Sequence, residues 1–573
     1  MPVHNSDIAD AFREIADLLE LQDANEFRVR AYRDAARTID GLSGKLTDMV
    51  DDDTDLTQLD NIGDSTADKI VEFIETGTME QLEQLRAELP TGLREIMEVE
   101  GLGPKRTREL YDELGIENLD DLERAAEKGD IADVEGFGEK TEENIEEGVE
   151  RARETTSRTP LPRAEELAEP LVDLLRDVDG VDRVTVAGSF RRRKETVGDL
   201  DILVTCDQAD PVMDAFVGYE DVEDVISRGD TRSTIVLGND FHVDLRVVKD
   251  QSYGAALHYF TGSKAHNVAC RKRGVERDLK INEYGVFDED DERIAGEDEA
   301  DIYDVLDMNF VPPELREDRG EIEAAREGDL PKLVELDDIR GDLHCHTDAS
   351  DGRHSMREMV EAAIDMGHDY LAITDHSKAM TVANGLDADA LREQAERIAA
   401  LDDEFDEITL LRSCEVDILE DGSLDLDDGI LAELDIVVCS IHSKMDLDQD
   451  AQTERLISAI EHPECDIIGH PTGRLIASRE AYDVDMEAVM DAARDHGVAL
   501  ELNAQPERLD LDDRLCKQAR DAGIDIVIST DAHSTNEFTN LKFGVSQARR
   551  GWLEASDIIN TRSLDDLRDW LER

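Results

Sequence analysis

Two short stretches, Gly188-Ser189-Phe190-Arg191-Arg192 and Gly198-Asp199-Leu200-Asp201-Ile202-Leu203-Val204, hold residue types that do chemistry together. Residues two apart on a strand point to one face, roughly 6.5–7 Å apart, so Asp199 and Asp201 can both turn to a pair of divalent ions. A third carboxylate, Asp244, lies in the alternating run Phe241-His242-Val243-Asp244-Leu245-Arg246-Val247-Val248, which reads as a neighbouring strand with Asp244 on the same side. Upstream, Val184-Thr185-Val186-Ala187 reads as a strand ending at Gly188-Ser189, where a helix start would offer backbone N–H groups to an anion. Arg191, Arg192, Arg193 and Lys194 add positive charge there. Three carboxylates behind an anion cradle are the parts of a metal-dependent nucleotidyl transfer. Asp-x-Asp alone is a common pattern and an arginine run is ordinarily solvated surface; the ordered combination carries the reading.

A second set of reactive residues fills the last third. Asp342-Leu343-His344-Cys345-His346, Tyr370-Leu371-Ala372-Ile373-Thr374-Asp375-His376 and Leu410-Leu411-Arg412-Ser413-Cys414-Glu415 each join an apolar run to a metal-binding side chain. So do Ile436-Val437-Val438-Cys439-Ser440-Ile441-His442, Asp466-Ile467-Ile468-Gly469-His470 and Ile526-Val527-Ile528-Ser529-Thr530-Asp531-Ala532-His533, and Val498-Ala499-Leu500-Glu501-Leu502-Asn503 is a similar run. Helical patterns lie between them. Strand–helix alternation with polar residues at strand ends is how a β/α barrel assembles a site, and seven strands predict a barrel smaller than the eight-stranded kind. His344, His346, Asp351, His376, Glu415, His442, His470, Asp531 and His533 would meet at its mouth and suffice for two or three metals. Mixed imidazole and carboxylate ligands suit Mn²⁺ and Zn²⁺ alike. One histidine on an apolar strand is ordinarily structural; nine candidates at corresponding strand ends read as ligands. Cys345 and Cys414 alternate away from them and read as small core residues.

The elements that position these groups follow from composition and periodicity. A chain of 573 residues has room for several domains. Its formal charge of −80, from 142 acidic against 62 basic residues, is dispersed through periodic apolar segments; only short clusters such as Asp51-Asp52-Asp53 and residues 288–292 stand out. That dispersion argues against disordered acidic tails. It fits a surface made for molar salt, where the Debye length falls to about 3 Å, and predicts a halophile-like source. Nucleic-acid binding would then lean on metals, backbone N–H groups and shape, because phosphate contacts weaken with salt. Seven scattered cysteines (206, 270, 345, 414, 439, 465, 516) without a Cys-x-x-Cys pair argue against a disulfide framework and a zinc ribbon. No leader-like start or long apolar run is present, so a cytoplasmic protein without a membrane span is expected.

Residues 6–46 read as helices, with Ile8, Phe12, Ile15, Leu18 and Leu19, then Phe27, Val29, Tyr32, Ala36 and Ile39, at helical spacing. A repeat follows: Leu59-Asp60-Asn61-Ile62-Gly63-Asp64, Val99-Glu100-Gly101-Leu102-Gly103-Pro104 and Val134-Glu135-Gly136-Phe137-Gly138-Glu139 each precede an amphipathic helix. They resemble helix–hairpin–helix motifs, in which backbone N–H groups of a tight hairpin reach a DNA phosphate, helped by K⁺ or Na⁺. Gly-x-Gly before a helix is also ordinary turn chemistry, and the first copy departs from the pattern at Asn61. Gly101, Gly103, Gly136 and Gly138 are therefore the expected backbone contacts.

Farther on stand Tyr259-Phe260-Thr261-Gly262-Ser263, Asn267, Arg271 and Ile281-Asn282-Glu283-Tyr284. With Gly-Ser, Asp-x-Asp and the third Asp in the same order, roughly residues 1–312 resemble a family X DNA polymerase, the family of DNA polymerase β. The resemblance implies Gly188, Ser189 and Arg192 on an incoming triphosphate, with Asp199, Asp201 and Asp244 as catalytic ligands of Mg²⁺ or Mn²⁺. It also implies Tyr259 and Gly262 at the sugar, Asn267 at the base edge and Arg271 on the template side. A 5′-deoxyribose-phosphate lyase, which the family carries in its first domain, would use Lys69; the flanking Ser65 and Asp68 supply no basic cluster to lower its pKa. The last third resembles the PHP (polymerase and histidinol phosphatase) domain, with which metal-dependent 3′→5′ exonuclease or other 3′-end phosphoesterase activity is associated.

The expected architecture is thus multidomain α+β and α/β. It comprises a helical lyase-like DNA-binding domain (1–88), a fingers-like helical domain (89–157), a nucleotidyltransferase palm (158–250), a thumb (251–315), a linker (316–338) and a distorted (β/α)7 PHP barrel (339–573). The expected partners are gapped or primer-template DNA and deoxynucleoside triphosphates, with a monomeric protein. In the alternative, the first half is only a DNA-binding adaptor for an end-processing phosphoesterase.

Overall fold

The structure, a computed structural model, describes residues 158–572 apart from 238–240, 477–478 and 480, most of residues 5–131, and a few positions between 132 and 157. The chain divides into two compact units. One comprises residues 1–159, 209–246 and 318–322; the other comprises 160–208, 247–317 and 323–573. The expected palm segment is therefore shared between them.

In the first unit, helices Asn5–Leu21 and Glu26–Asp40 pair through Ile8, Phe12, Ile15 and Leu19 on one side and Val29, Tyr32, Ala36 and Ile39 on the other. Phe27, expected on that face, is 80% exposed. At 100° per residue it lies about 200° round the helix from Val29, off the stripe that Val29, Tyr32, Ala36 and Ile39 define. The first hairpin copy leads into the helix Asp64–Thr76, and Asn61 takes φ +61°, a left-handed conformation that asparagine tolerates better than most residues. This explains how Asn61 stands where the pattern wants glycine. Gly138 is exposed, whereas Gly101, Gly103 and Gly136 lie outside the described residues. Strands Val222–Arg228, Arg232–Leu237 and Phe241–Val248 form an antiparallel meander that sets Thr234 opposite Asp244.

In the second unit, Val181–Val186 pairs antiparallel with Asp199–Cys206, and the helix Leu161–Arg176 packs on the first of them. The burial along Asp199–Cys206 alternates at its start, with Leu200 buried between Asp199 and Asp201, because only one face of the strand meets the core. Helices Tyr253–Thr261 and Lys264–Val275 follow, then a small sheet of Lys280–Asn282, Gly285–Phe287 and Arg293–Ala295. The stretch 316–338, expected as a polar linker, is packed: Arg316 and Val334 are fully buried, and Val334 N–H donates to Leu553 O. Arg316 is buried because Glu299 and the Val311 carbonyl take its guanidinium.

Seven parallel strands then form one sheet in sequence order: β1 Gly341–Asp342, β2 Tyr370–Ile373, β3 Thr409–Asp417, β4 Ile436–Ser440, β5 Ile467–Ile468, β6 Ala499–Asn503 and β7 Ile526–Ser529. Beyond β1 and β7, a parallel bridge between Cys345 and Ala532 brings first and last together. The barrel strands are almost wholly buried, as parallel strands covered by helices must be. Cys345 and Cys414 are buried in their respective cores.

Candidate active sites

Gly188, Ser189, Arg192, Asp199, Asp201, Tyr259, Phe260, Gly262, Lys264, Asn267 and Arg271 line one cavity of about 350 Å³. A short helix, Gly188–Arg191, turns the chain from the first strand to the rim. Gly188 takes φ +63°, and a Cβ there would lie 2.9 Å from Asp201 Oδ2, so both backbone conformation and close approach call for glycine. Ala187 N–H donates to Asp201 O at 2.7 Å and ties the cradle to the strand that carries the carboxylates. Asn267 donates to Tyr259 O at 2.6 Å, while its buried side-chain oxygen has no hydrogen-bond partner. Arg192 donates to Thr261 O (2.5 Å) and to Glu317 (3.0 Å).

The rest of the basic run does not line the cavity. Arg191 forms a two-pronged pair with Glu299 at 2.8 Å, and Arg193 reaches Glu165 and Ser546. Burial acts to raise Glu299, but Arg316 and Arg191 hold it down to about 2. Asp244 stands in the other unit, where Thr234 Oγ1 donates to Oδ1 and Arg232 to Oδ2 at 3.1 Å. Lys69 keeps its amine on Ser65 Oγ at 3.0 Å, 5.9 Å from the Tyr32 ring centroid.

The barrel brings the nine expected ligands into a connected cluster at the C-terminal ends of its strands. Glu415 is central: its Oε2 lies 2.8 Å from His376 Nδ1, 3.5 Å from His344 Nε2 and 3.6 Å from His346 Nε2. Its Oε1 lies 3.0 Å from His470 Nε2 and 3.2 Å from His442 Nε2. Asp531 Oδ1 stands 3.1 Å from His346 Nε2, and Asp351 approaches His376 and His533 at 3.5 Å. His470 and Asp531 take positive φ, +28° and +50°, backbone strain of the kind that collects at functional sites.

These contacts are close yet mostly lack hydrogen-bond geometry. His344 Nε2, both nitrogens of His346, His376 Nδ1 and Glu415 Oε2 are buried without a hydrogen-bond partner. Buried lone pairs that converge without satisfying one another fit a cation between them. The donor atoms fall into three such groups: His344, His346 and Asp531; His376, Glu415 and His442; and His346, Asp351, His376 and His533. Electrostatics agree. Burial acts to raise Glu415, yet His442, His344 and His376 hold it well below the carboxylate range. Burial alone would lower His376, but Glu415 and Asp351 push it up to about 10, whereas His346, buried between His376 and His533, is held down to about 3. A ligating imidazole is neutral, so cations and these protons compete for the same atoms.

A ring of supporting residues surrounds the cluster, and no sequence motif singles them out. Glu501 accepts from His344 at 2.7 Å and from the His470 backbone N–H at 2.6 Å. Asp417 lies 3.3 Å from His442 Nδ1. Asp375 accepts from Thr347, Ser350 and Gln394 and so fixes the loop that carries Asp351. The signal available for Glu501 was a lone acidic residue inside an apolar run.

Fold and site together define a polymerase β-like core behind a helical first domain, followed by a seven-stranded barrel with candidate metal clusters. Comparison with known families agrees in chain order: helix-hairpin-helix domain (residues 3–79), SAM-like helix-hairpin-helix tandem (93–150), DNA polymerase beta palm (158–227), DNA polymerase beta thumb (256–317) and PHP domain (342–505). The chain is 39% identical over 574 residues to the DNA polymerase/3'-5' exonuclease PolX of Bacillus subtilis (strain 168), covering 100% of both chains. Over 38% of its length it is 28% identical to a probable phosphatase of Thermoanaerobacter sp. (strain X514), covering 89% of that protein. A probable phosphatase of Caldicellulosiruptor saccharolyticus matches at 31% identity over 34% of this chain and 79% of its own. The chain belongs to the PolX group of family X DNA polymerases, which join a polymerase β-like core to a C-terminal PHP domain.

Proposed function

We infer that the protein is a DNA-directed DNA polymerase of family X that fills short gaps, and a 3′→5′ exonuclease or 3′-end phosphoesterase through its PHP barrel. The observation that carries the first half is the single cavity that places Asp199 and Asp201 beside Ser189, Arg192, Tyr259 and Asn267. The converging orphan atoms of the barrel carry the second. The adaptor reading is not favoured, because Gly188, Ser189, Arg192, Tyr259, Gly262, Asn267 and Arg271, the positions expected around an incoming nucleotide, line one cavity with Asp199 and Asp201.

Asp199, Asp201 and Asp244 would hold Mg²⁺ or Mn²⁺, and the barrel residues two or three Mn²⁺ or Zn²⁺, which would supply Lewis-acid activation and charge neutralisation at phosphorus. Ser189 and Arg192 hold the triphosphate, Tyr259 and Gly262 the sugar, and Asn267 offers its unpaired oxygen to the base edge. Arg271 faces the template side. Gly101, Gly103, Gly136 and Gly138 take DNA phosphates through backbone N–H groups, with K⁺ or Na⁺, so that binding is independent of sequence. The protein acts as a monomer. Any 5′-deoxyribose-phosphate lyase step runs through Lys69, and borohydride trapping that persists in Lys69→Ala excludes that residue.

The test is extension and shortening of a labelled primer on a one-nucleotide-gapped duplex in high KCl with Mg²⁺ or Mn²⁺. Asp201→Ala is expected to abolish extension and keep shortening; His344→Ala is expected to do the reverse. A wild-type protein that shortens but never extends overturns the polymerase assignment.

A further inference from the structure

We propose that Arg550, on the barrel helix Leu541–Arg550, is a positioning residue for nucleotide incorporation: by sharing the Glu317 carboxylate with Arg192, it keeps Arg192 turned to the nucleotide cavity. The proposal rests on the assignment of Arg192 to the incoming triphosphate. All the residues concerned belong to one compact unit.

The turn between the Gly188 cradle and the Asp199 strand is tied to the barrel along its length. Arg550 Nη1 donates to the backbone oxygen of Arg192 at 2.8 Å. Arg193 Nε donates to Ser546 Oγ at 3.0 Å, and Arg474 Nη2 to Glu195 at 2.7 Å. Lys542, on the same helix as Arg550, pairs at 2.7 Å with Glu165, which also takes Arg193. The barrel therefore holds the segment that separates the phosphate cradle from the metal carboxylates.

Within this contact, Glu317 Oε1 accepts from two arginines, Arg192 Nε at 3.0 Å and Arg550 Nη1 at 3.1 Å. Arg550 is anchored on its other side by Asp513, and its side chain is 3% exposed, against 12% for Arg192 and 13% for Glu317. A carboxylate facing a single guanidinium prefers a two-pronged fork with it. Both arginines meet Glu317 at Oε1, so Arg550 competes with Arg192 for that oxygen and weakens its hold, and Arg192 reaches it through Nε while its Nη1 donates to Thr261 O. Without Arg550, Glu317 draws Arg192 into a fork and partly neutralises it, and the cavity loses attraction for a polyanion.

The test is steady-state incorporation into a one-nucleotide gap, with shortening activity read on the same preparations. Arg550→Met is expected to raise KM for the deoxynucleoside triphosphate about tenfold, the scale of one weakened charge-assisted contact, with kcat within about twofold and shortening unchanged. Adding Glu317→Gln to Arg550→Met removes the competing carboxylate and is expected to return KM toward wild type. Should Arg550→Met prove insoluble, Arg550→Lys is read the same way, with a smaller rise in KM. An unchanged KM overturns the proposal, as do parallel losses of kcat and shortening that Glu317→Gln does not reverse. Arg192→Met, measured alongside, separates the two levels: if it leaves KM unchanged the nucleotide pocket itself is misassigned, and if it alone raises KM only the coupling fails.

Discussion

Gly188 shows how a single residue sets the geometry of a reaction. Its positive φ and the 2.9 Å gap to Asp201 leave no room for a side chain. Gly188→Ala must therefore push the Asp201 carboxylate or the cradle aside, and displacements on the order of 1 Å cost about 10²-fold in rate. Extension should fall by about that factor in a gapped-primer assay while shortening is retained. At the barrel, Glu501 holds His344 by Nδ1 so that Nε2 faces the centre. Loss of such an orienting carboxylate typically lowers metal affinity or activity by about 10–100-fold. Glu501→Gln should show this in a metal titration, and full affinity in that variant would deny Glu501 the role. Eight of the nine candidate ligands are legible at the ends of apolar runs, and Asp351 in the polar turn after the first; Glu501 and Asp417 are not, since which side of a strand faces the centre depends on register.

At the scale of elements, the helix after β1 packs a histidine that has no part in the cluster. His368, between the helix Met356–Asp365 and β2, is 4% exposed, packs on Phe538, and has neither ring nitrogen hydrogen-bonded. Burial pushes it down to about 4, with Asp369 opposing only weakly. Below its ordinary value of about 6.5 the unfolded chain takes up a proton that the folded barrel refuses until about 4. Stability is therefore intact above pH 6.5 and drains away toward pH 4, by about 3 kcal/mol for this group. His368→Phe should remove that share, so melting curves of variant and wild type should diverge in the variant's favour as pH falls through this window. Parallel curves would place the proton elsewhere. The same element scale explains residues 316–338, where Val334 is fixed by Leu553, more than two hundred residues farther on, whereas Phe27 simply falls off the apolar stripe of its own helix.

For the whole molecule, a formal charge of −80 must be carried by one folded chain. Self-repulsion reaches over about 10 Å at 0.1 M salt and about 3 Å at 1 M, so salt should stabilise the fold strongly. The thermal midpoint should rise by on the order of 10 °C between 0.1 M and 2 M KCl. A midpoint independent of KCl would mean that the charge is already balanced locally. Among the described residues no helix is long and apolar enough to cross a membrane. Chelation should separate the two activities in a further way: restoring Mg²⁺ alone after exhaustive chelation should recover extension, while shortening should need Mn²⁺ or Zn²⁺.

Sequence alone determined the order of the modules, through the resemblance its motifs carry, and the seven strands of the barrel, the pairing of Asp199 with Asp201 and the candidate ligand set, which are written in local periodicity and in residues near element ends. Tertiary structure decided what those residues meet. It assigned Arg191 to Glu299 and Arg193 to the barrel, leaving Arg192 at the cavity, and it set Arg550 against Glu317 across more than two hundred residues of chain. A run of four basic residues has no local feature that ranks its members; only the carboxylates folded against it do.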